Sequence, residues 1–160
     1  MSVNPIELDR LDRKILAIIQ DNNLTPHREI ADRVGLSAPA VTRRLKRLRK
    51  SGIIRGDVSL IDAKAMGRPL VLIVEVVANS EQTSELDAMR QSFQDCAQIQ
   101  QCYYVTGDAD FILIFNVSDM GEYEGLTRSL FLECENVKRF TTLVSMETVK
   151  AGEKVMIDAD

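Results

Sequence analysis

Six cationic side chains crowd into one short stretch of this 160-residue chain. Arg or Lys occupies six of the eight positions in residues 43–50, shortly after the turn-forming sequence Gly35-Leu36-Ser37. Guanidinium and ammonium groups at this density can neutralise phosphates, and the fork of an arginine also matches the two acceptors on a guanine edge. The chemistry that these residues indicate is binding of nucleic acid.

Charge is divided unequally along the chain. Residues 1–60 carry 12 Arg and Lys against 7 Asp and Glu, a net charge of +5, whereas residues 61–160 carry 8 against 17, a net charge of −9. The two values sum to the −4 of the whole chain. This asymmetry predicts a basic module that contacts nucleic acid, joined to an acidic module with another task.

The elements that must position the cations follow a helix-turn-helix order. Apolar residues at helical spacing predict helices over residues 7–21, 26–34 and 38–50. Residues 53–54 and 58–60 are expected to form a short extended arm or wing. A charge run alone is also typical of a solvated helix surface, but the turn, the flanking helices and the charge division favour DNA.

Helix caps and solvent-facing sides of the helices are also predicted for this module. Thr25 and Ser37 are expected to cap the second and third helices, and Gly35 is expected to end the second. Asp12 is expected on the solvent side of the first helix. Val41, Leu45 and Leu48 share the apolar face of the third helix, so its cations lie broadly on the opposite side.

A helix in a major groove contacts base edges with its first residues and phosphates with its later ones. We therefore expect base-edge contacts from Ser37, Ala38, Pro39, Thr42 and Arg43. Phosphate contacts are expected from Lys46, Arg47, Arg49 and Lys50. Arg28 and His27, at the start of the second helix, are expected to touch the DNA backbone.

The second half of the chain has a different pattern. Strands are predicted over residues 70–77, 99–105, 111–117 and 137–149, with helices over residues 84–93 and 120–132. The order strand, helix, strand, strand, helix, strand is that of a ferredoxin-like βαββαβ domain, so the chain is predicted to be α+β. Helices would cover one sheet face, and the open face predicts dimerisation. The expected division is 1–55 for DNA binding, 56–69 as linker, and 70–160 for effector binding and oligomerisation.

An acidic hairpin joins the second and third predicted strands. Gly107 allows a positive φ, and free backbone N–H groups in such a turn can receive a carboxylate. Asp110 can receive an ammonium group. Together these groups suit a free α-amino acid, although Gly-Asp is also ordinary turn chemistry.

Other functional classes find little support. The three cysteines (Cys96, Cys102 and Cys134) lack metal-finger spacing, and a single histidine gives little material for a metal site or a triad. With no nucleophile–base pair and no phosphate loop, we expect no enzyme, no catalytic residue, no metal and no cofactor. Without a signal peptide or a long apolar run, we expect a cytoplasmic protein with no membrane partner. A thiol sensor at Cys102 stays open.

In order and spacing, the chain resembles the Lrp/AsnC (leucine-responsive, feast/famine) family of transcription factors over residues 8–155. The first half carries this resemblance in Leu8-Asp9, Leu11-Asp12, Glu29-Ile30-Ala31, Val34-Gly35-Leu36-Ser37, Arg44-Leu45-Lys46-Arg47-Leu48 and Gly52-Ile53-Ile54. The second half carries it in Thr106-Gly107-Asp108-Ala109-Asp110-Phe111, Asp119-Met120, Tyr123, Thr142 and Met146-Glu147.

The resemblance implies a regulator of amino-acid metabolism or transport genes. It implies dimers that assemble into tetramers or octamers on double-stranded DNA with a pseudo-palindromic operator, and an amino-acid effector bound between dimers. The effector residues that it implies are Tyr103, Thr106, Gly107, Asp108, Ala109, Asp110, Met120, Leu143, Val144 and Ser145. The alternative is an effector-independent architectural DNA-binding protein whose second domain only oligomerises.

Overall fold

The computed structural model describes residues 7–152 and 154–158, which form two compact units. One unit comprises Met1–Leu60 with Ala151–Asp160, and the other comprises Ile61–Lys150. The chain thus passes between the units at two places. The expected division placed residues 70–160 together, whereas the structure groups the chain beyond Lys150 with the first unit.

Two hydrogen bonds between a side chain and the backbone, together with an ion pair, attach this segment beyond Lys150 to the first helix. The Gln20 side chain donates to the Val155 carbonyl at 2.7 Å and accepts from the Val155 N–H at 2.9 Å. Lys154 Nζ lies 2.7 Å from Asp21 Oδ1. These exposed polar contacts have no periodic pattern, which is why the sequence did not predict them.

The first unit contains the three expected helices: α1 (Arg10–Asp21), α2 (His27–Val34) and α3 (Ala38–Lys50). α1 begins later than residue 7 because Asp9 is its N-cap, in a capping box with Asp12. Asp9 Oδ1 accepts from the Asp12 N–H at 2.7 Å, and Asp12 Oδ2 accepts from the Asp9 N–H at 3.2 Å.

The expected helix ends are confirmed in part. Gly35 ends α2 in the left-handed conformation with φ 71°, and Ser37 Oγ accepts from the Ala40 N–H at 3.4 Å. The prediction that Thr25 caps α2 is wrong, because Pro26 holds that position and the Thr25 hydroxyl donates to the Asn22 carbonyl. The structure describes all of residues 51–69, and none of them lies in a strand. The expected arm or wing is therefore not a β-strand.

Apolar side chains from all three helices form the core of this unit. Its buried members are Ile15, Ile30, Ala31, Val34, Val41 and Leu45. One acidic side chain is buried with them: Asp12 is 0% exposed, which contradicts the prediction that it faces solvent. Burial of an isolated carboxylate is costly, so Asp12 requires cationic partners.

The second unit is an antiparallel sheet with helices, as predicted. Its elements are β1 (Leu70–Ala78), α4 (Thr83–Asp95), β2 (Ile99–Tyr104), β3 (Phe111–Val117), α5 (Met120–Thr127) and β4 (Val137–Val144). The strand order β2-β3-β1-β4 is that of a ferredoxin-like fold. Two predicted elements extend well beyond the observed ones. The helix predicted over residues 120–132 gives way to a π-helical turn at Arg128–Leu132, and the strand predicted to residue 149 ends at Val144.

Alternation along the central strands gives the sheet one buried face and one open face. Leu72, Val74 and Val76 of β1 are buried in a cluster with side chains of α4 and α5. The residues between them point to the opposite face, where Ile73 pairs with Ile114 of β3 and with Leu143 of β4. This open face combines apolar residues with polar ones such as Glu75, Asn116 and Thr141.

Glu122 attaches the segment before β1 to the start of α5. Its carboxylate accepts from Arg68 Nη1 at 3.0 Å, from Gln98 Nε2 at 2.8 Å, and from both the N–H and the hydroxyl of Ser118 at 2.8 Å. These donors, the Ser118 N–H first, lower the pKa of Glu122 to about 2. The group is therefore held in its charged form.

Candidate functional site

The structure divides the cations of α3 into two sets. Arg44, Arg47 and Arg49 are engaged in ion pairs with Asp9, Asp12 and Asp57. Among the ion pairs that the described residues form, none involves Arg43, Lys46 or Lys50, and all three side chains are exposed. The spacing of these three is i, i+3, i+7, so they lie on one face of the helix.

Arg44 and Arg47 form a network with the start of α1, and Asp12 is its fully buried member. Arg44 Nη1 donates to Asp9 Oδ2 at 2.6 Å and to Asp12 Oδ1 at 2.8 Å, while Arg47 Nη2 donates to Asp12 Oδ2. The Asp12 N–H and then the Arg44 guanidinium lower the pKa of Asp9. The same hydrogen bonds, to Asp9 first, raise the pKa of Arg44. We call these four residues, Asp9, Asp12, Arg44 and Arg47, the α1–α3 clamp.

The residues expected at base edges cluster around the start of α3. Ser37, Pro39, Thr42 and Arg43 are exposed, and Ala38 is half-buried. The Thr42 hydroxyl donates to the Ala38 carbonyl at 3.0 Å and lies 2.8 Å from His27 Nδ1. Thr42 is therefore already oriented by two neighbours. His27 contacts this side chain from the start of α2, where Arg28 is also exposed.

The acidic hairpin forms at one end of the sheet. Gly107 has φ 133°, and the Val105 N–H donates to the Asp110 carbonyl at 2.9 Å. The carboxylate expected to receive an ammonium group has a structural contact, since Asp110 Oδ2 accepts from the Ala78 N–H at 2.8 Å. Its other oxygen accepts no hydrogen bond from the described residues. Asp108 contributes a carbonyl that lies 3.4 Å from Arg139 Nη2.

A single chain does not bring the expected effector residues together. Thr106, Gly107, Asp108, Ala109 and Asp110 lie beyond Phe111, which pairs with Val76. Leu143, Val144 and Ser145 lie at the level of Ile73, Leu72 and Val71, and Met120 follows the same end of β3. Four residues of β1 separate these levels, roughly 13 Å at the rise of a strand. Tyr103 lies on the edge strand β2, opposite Ile112.

Two cavities occur on the helix-covered side of the sheet. One of about 350 Å³ lies between α4 and β2 beside Arg90, Cys102 and Tyr104. The other, of about 410 Å³, lies beside Asn79, Glu85 and Asn136. Partial burial raises the pKa of the Cys102 thiol, and the Arg90 charge offsets this only in part. A raised pKa leaves less reactive thiolate, which argues against the thiol sensor.

Residues 7–152 and 154–158 contain neither a metal-binding cluster nor a membrane-spanning helix. No group of three or more His, Cys, Asp or Glu side chains in those ranges has a metal-binding arrangement. Their helices are also too short or too polar to cross a bilayer.

Sequence reasoning missed the role of Asp12. The signal that could have identified it is its position, because Asp12 shares a helical face with Leu8, Ile15 and Ile19 at spacings of 4, 3 and 4 residues. An acid on an apolar face must find cations, and the third helix supplies a surplus of them. Which two arginines would pair was not predictable from spacing alone, since α1 and α3 are joined only by tertiary packing.

Two family models together match most of the chain. Residues 8–55 match a model described as winged helix-turn-helix DNA-binding. Residues 71–155 match the Lrp/AsnC ligand binding domain.

Relatives with curated descriptions match over nearly the whole length. An uncharacterised HTH-type transcriptional regulator of Sinorhizobium fredii is 46% identical over 96% of this chain and 90% of its own. The leucine-responsive regulatory protein of Klebsiella pneumoniae is 32% identical over 94% of this chain and 92% of its own.

Solved structures show the same fold. An AsnC family transcriptional regulator from Agrobacterium tumefaciens superposes with a TM-score of 0.87 at 26% identity, covering 93% of this chain and 97% of its own. A Neisseria meningitidis transcriptional regulator in complex with L-methionine gives a TM-score of 0.87 at 23% identity, covering 94% of this chain and 97% of its own.

Proposed function

The chain belongs to the Lrp/AsnC family of transcriptional regulators, which are not enzymes, and from this premise we propose what it binds. It binds specific double-stranded DNA sites through α3 and regulates genes of amino-acid metabolism or transport. A free amino acid tunes its assembly and its DNA binding. It acts in the cytoplasm.

The observation that carries the DNA-binding role is the face of α3 that bears Arg43, Lys46 and Lys50. These exposed cations have no acidic partner within the described part of the chain, so they are available for phosphates and base edges. We assign a bidentate guanine contact to Arg43, and phosphate contacts to Lys46 and Lys50. Further base-edge contacts come from Ser37, Ala38, Pro39 and Thr42, and a backbone contact comes from Arg28.

The open face of the sheet supports assembly through the second unit. Ile73, Ile114 and Leu143 form an apolar row across this face, which burial against a second copy would remove from water. A two-fold dimer presents two copies of α3 about one DNA turn apart, or a multiple of it, roughly 34 Å per turn. The operator is therefore pseudo-palindromic. Tetramers or octamers form when such dimers associate further.

The effector site is completed between copies. The hairpin residues 106–110 and the group around Leu143 lie at different ends of one sheet, so a neighbouring copy must supply the missing side. The L-methionine complex of the Neisseria relative supports an amino acid as the ligand. The backbone N–H groups of the hairpin receive its carboxylate, and the uncommitted oxygen of Asp110 receives its ammonium group.

Selection of bound fragments from the source genome tests the DNA-binding role. Purified full-length protein is incubated with sheared genomic DNA, and retained fragments are sequenced. We expect a few enriched fragments with a pseudo-palindromic element upstream of amino-acid metabolism or transport genes. Retention of fragments in proportion to their abundance would contradict site-specific regulation.

One observation favours the second candidate function, an architectural protein without an effector: the Asp110 carboxylate already stabilises the end of β1. Thermal melting in the presence of each of the twenty amino acids at millimolar concentration separates the two candidates. A ligand that binds the native state raises the melting temperature, by an amount that grows with concentration. We expect such a rise for one or a few amino acids. Unchanged melting with all twenty would favour the architectural function.

A further inference from the structure

The α1–α3 clamp ties the middle of α3 to the start of α1, on a side of the helix away from Arg43, Lys46 and Lys50. Asp12 is fully buried, and both of its oxygens accept from arginines of α3, one from Arg44 and one from Arg47. Asp9 adds a second bond to Arg44. The charges of the network balance, because two carboxylates face two guanidinium groups.

The spacing of the two arginines makes the clamp directional. Arg44 and Arg47 are three residues apart, so they lie on neighbouring turns of one side of α3. The apolar contacts of Val41 and Leu45 are tolerant of a small rotation, because hydrophobic burial has no direction. Bonds from two successive turns to one buried carboxylate fix both the rotation of α3 and its position along its axis.

The clamp also sets how much charge α3 offers to DNA. Six cations stand in residues 43–50, but Arg44 and Arg47 are neutralised by the clamp and Arg49 is paired with Asp57. The face of Arg43, Lys46 and Lys50 keeps its charge. Since phosphate contacts give affinity without sequence information, fewer loose cations mean less non-specific binding.

We propose that Asp12 is a positioning residue for DNA recognition: it holds Arg44 and Arg47 against α1, so that α3 presents a single reading face and withholds two cations from phosphates. This inference rests on the proposed site-specific DNA binding. It changes the expectation for Arg47, which becomes a member of the clamp rather than a phosphate contact.

The test is a salt titration of DNA binding by full-length Asp12→Asn. Dissociation constants are measured for a selected site and for a scrambled duplex at several salt concentrations. Asparagine keeps the shape but not the charge, so Arg47 loses its carboxylate partner while Arg44 keeps its bond to Asp9. We expect the scrambled duplex to bind more tightly, the ratio of the scrambled-duplex constant to the selected-site constant to fall about tenfold, and the log–log salt slope to steepen by about one.

Asp32→Asn is the matched control, because it removes the same charge from an exposed position on α2. If Asp12→Asn matches this control in both slope and ratio, the proposal is overturned. If the wild-type protein itself does not distinguish the two duplexes, the proposed function fails instead, so the two failures are distinguishable.

A second variant decides the matter if Asp12→Asn does not fold. Arg47→Gln removes one partly exposed member of the clamp and leaves the Arg44 bonds in place. We expect its salt slope to equal that of the wild type, while its affinity for the selected site falls because α3 is less firmly held. Lys50→Gln should reduce the slope by about one. An equal reduction in Arg47→Gln would show that Arg47 contacts phosphate and would overturn the proposal.

Discussion

At the scale of single residues, neighbours decide what identical side chains do. Arg43 and Arg44 are adjacent in sequence, yet one is exposed and the other donates to two carboxylates. The spacing of apolar residues predicted which side of α3 is buried, but it could not predict which cations would be paired. That depends on Asp9 and Asp12, which come from a different helix some thirty residues earlier.

Glu122 makes a residue-scale prediction about acid stability. Its pKa is lowered from 4.5 to about 2 by its hydrogen bonds, so folding favours its charged form. The resulting stabilisation is complete above about pH 4.5 and is lost as the pH falls towards 2. We expect Glu122→Gln to be less stable than the wild type at pH 6, with a difference that shrinks steadily down to pH 2.

Urea unfolding between pH 2 and pH 6 measures this difference. Glu124→Gln, an exposed change on the same helix, should track the wild type throughout. A difference between Glu122→Gln and the wild type that stays constant with pH would show that the carboxylate charge is not responsible.

At the scale of elements, periodicity predicted type and order well, and ends less well. The bounds of α3 and β3 were predicted to the residue because each is enclosed by clear signals. Ser37 precedes α3 and Ser51-Gly52 follows it, while the hairpin turn precedes β3 and Ser118-Asp119 follows it. α1 begins late because Asp9 caps it, and the second long helix changes to a π-helical turn with no warning in its apolar spacing. The split of the effector residues follows from strand register, which no single segment specifies.

Two glycines on different elements give opposite predictions. Gly107 has φ 133° in the hairpin, a conformation that L side chains rarely adopt, whereas Gly125 lies in α5 without a positive φ. Neither position would bring a new Cβ within 4 Å of another atom, so backbone conformation decides the result. We expect Gly107→Ala to lower the free energy of unfolding by about 1–3 kcal/mol. Gly125→Ala should raise it by up to about 1 kcal/mol.

The same urea unfolding experiment compares both alanine variants with the wild type. Because each adds one methyl group at an open position, the pair is its own control for added volume. Equal effects on stability would contradict the assigned backbone conformations.

At the scale of the whole molecule, the acidic chain is two units with opposite tasks. The basic unit contains the helix-turn-helix domain, and the acidic unit contains the sheet whose open face is proposed to pair with a second copy. Ile114 lies in the middle of that face, between Gln101 of β2 and Ile73 of β1.

The pairing of sheets predicts a monomeric variant. Ile114→Glu places a carboxylate in the apolar interface, where burying a charge costs several kcal/mol, so dimerisation should weaken by about a hundredfold or more. Ser84→Glu adds the same charge in the first turn of α4, where the helix dipole favours it, and should leave assembly unchanged. Sedimentation velocity over a concentration series measures both. An Ile114→Glu protein that assembles like the wild type would exclude this face as the interface.

The most direct test of the account is whether Arg43 reads sequence while Lys50 only adds affinity. Dissociation constants of the wild type, Arg43→Ala and Lys50→Ala are measured by fluorescence anisotropy on a selected duplex and on a scrambled one. We expect Arg43→Ala to lose about 1–3 kcal/mol of binding free energy on the selected duplex and much less on the scrambled one. Lys50→Ala should weaken binding to both duplexes alike. Unchanged affinity and selectivity in Arg43→Ala would contradict the account.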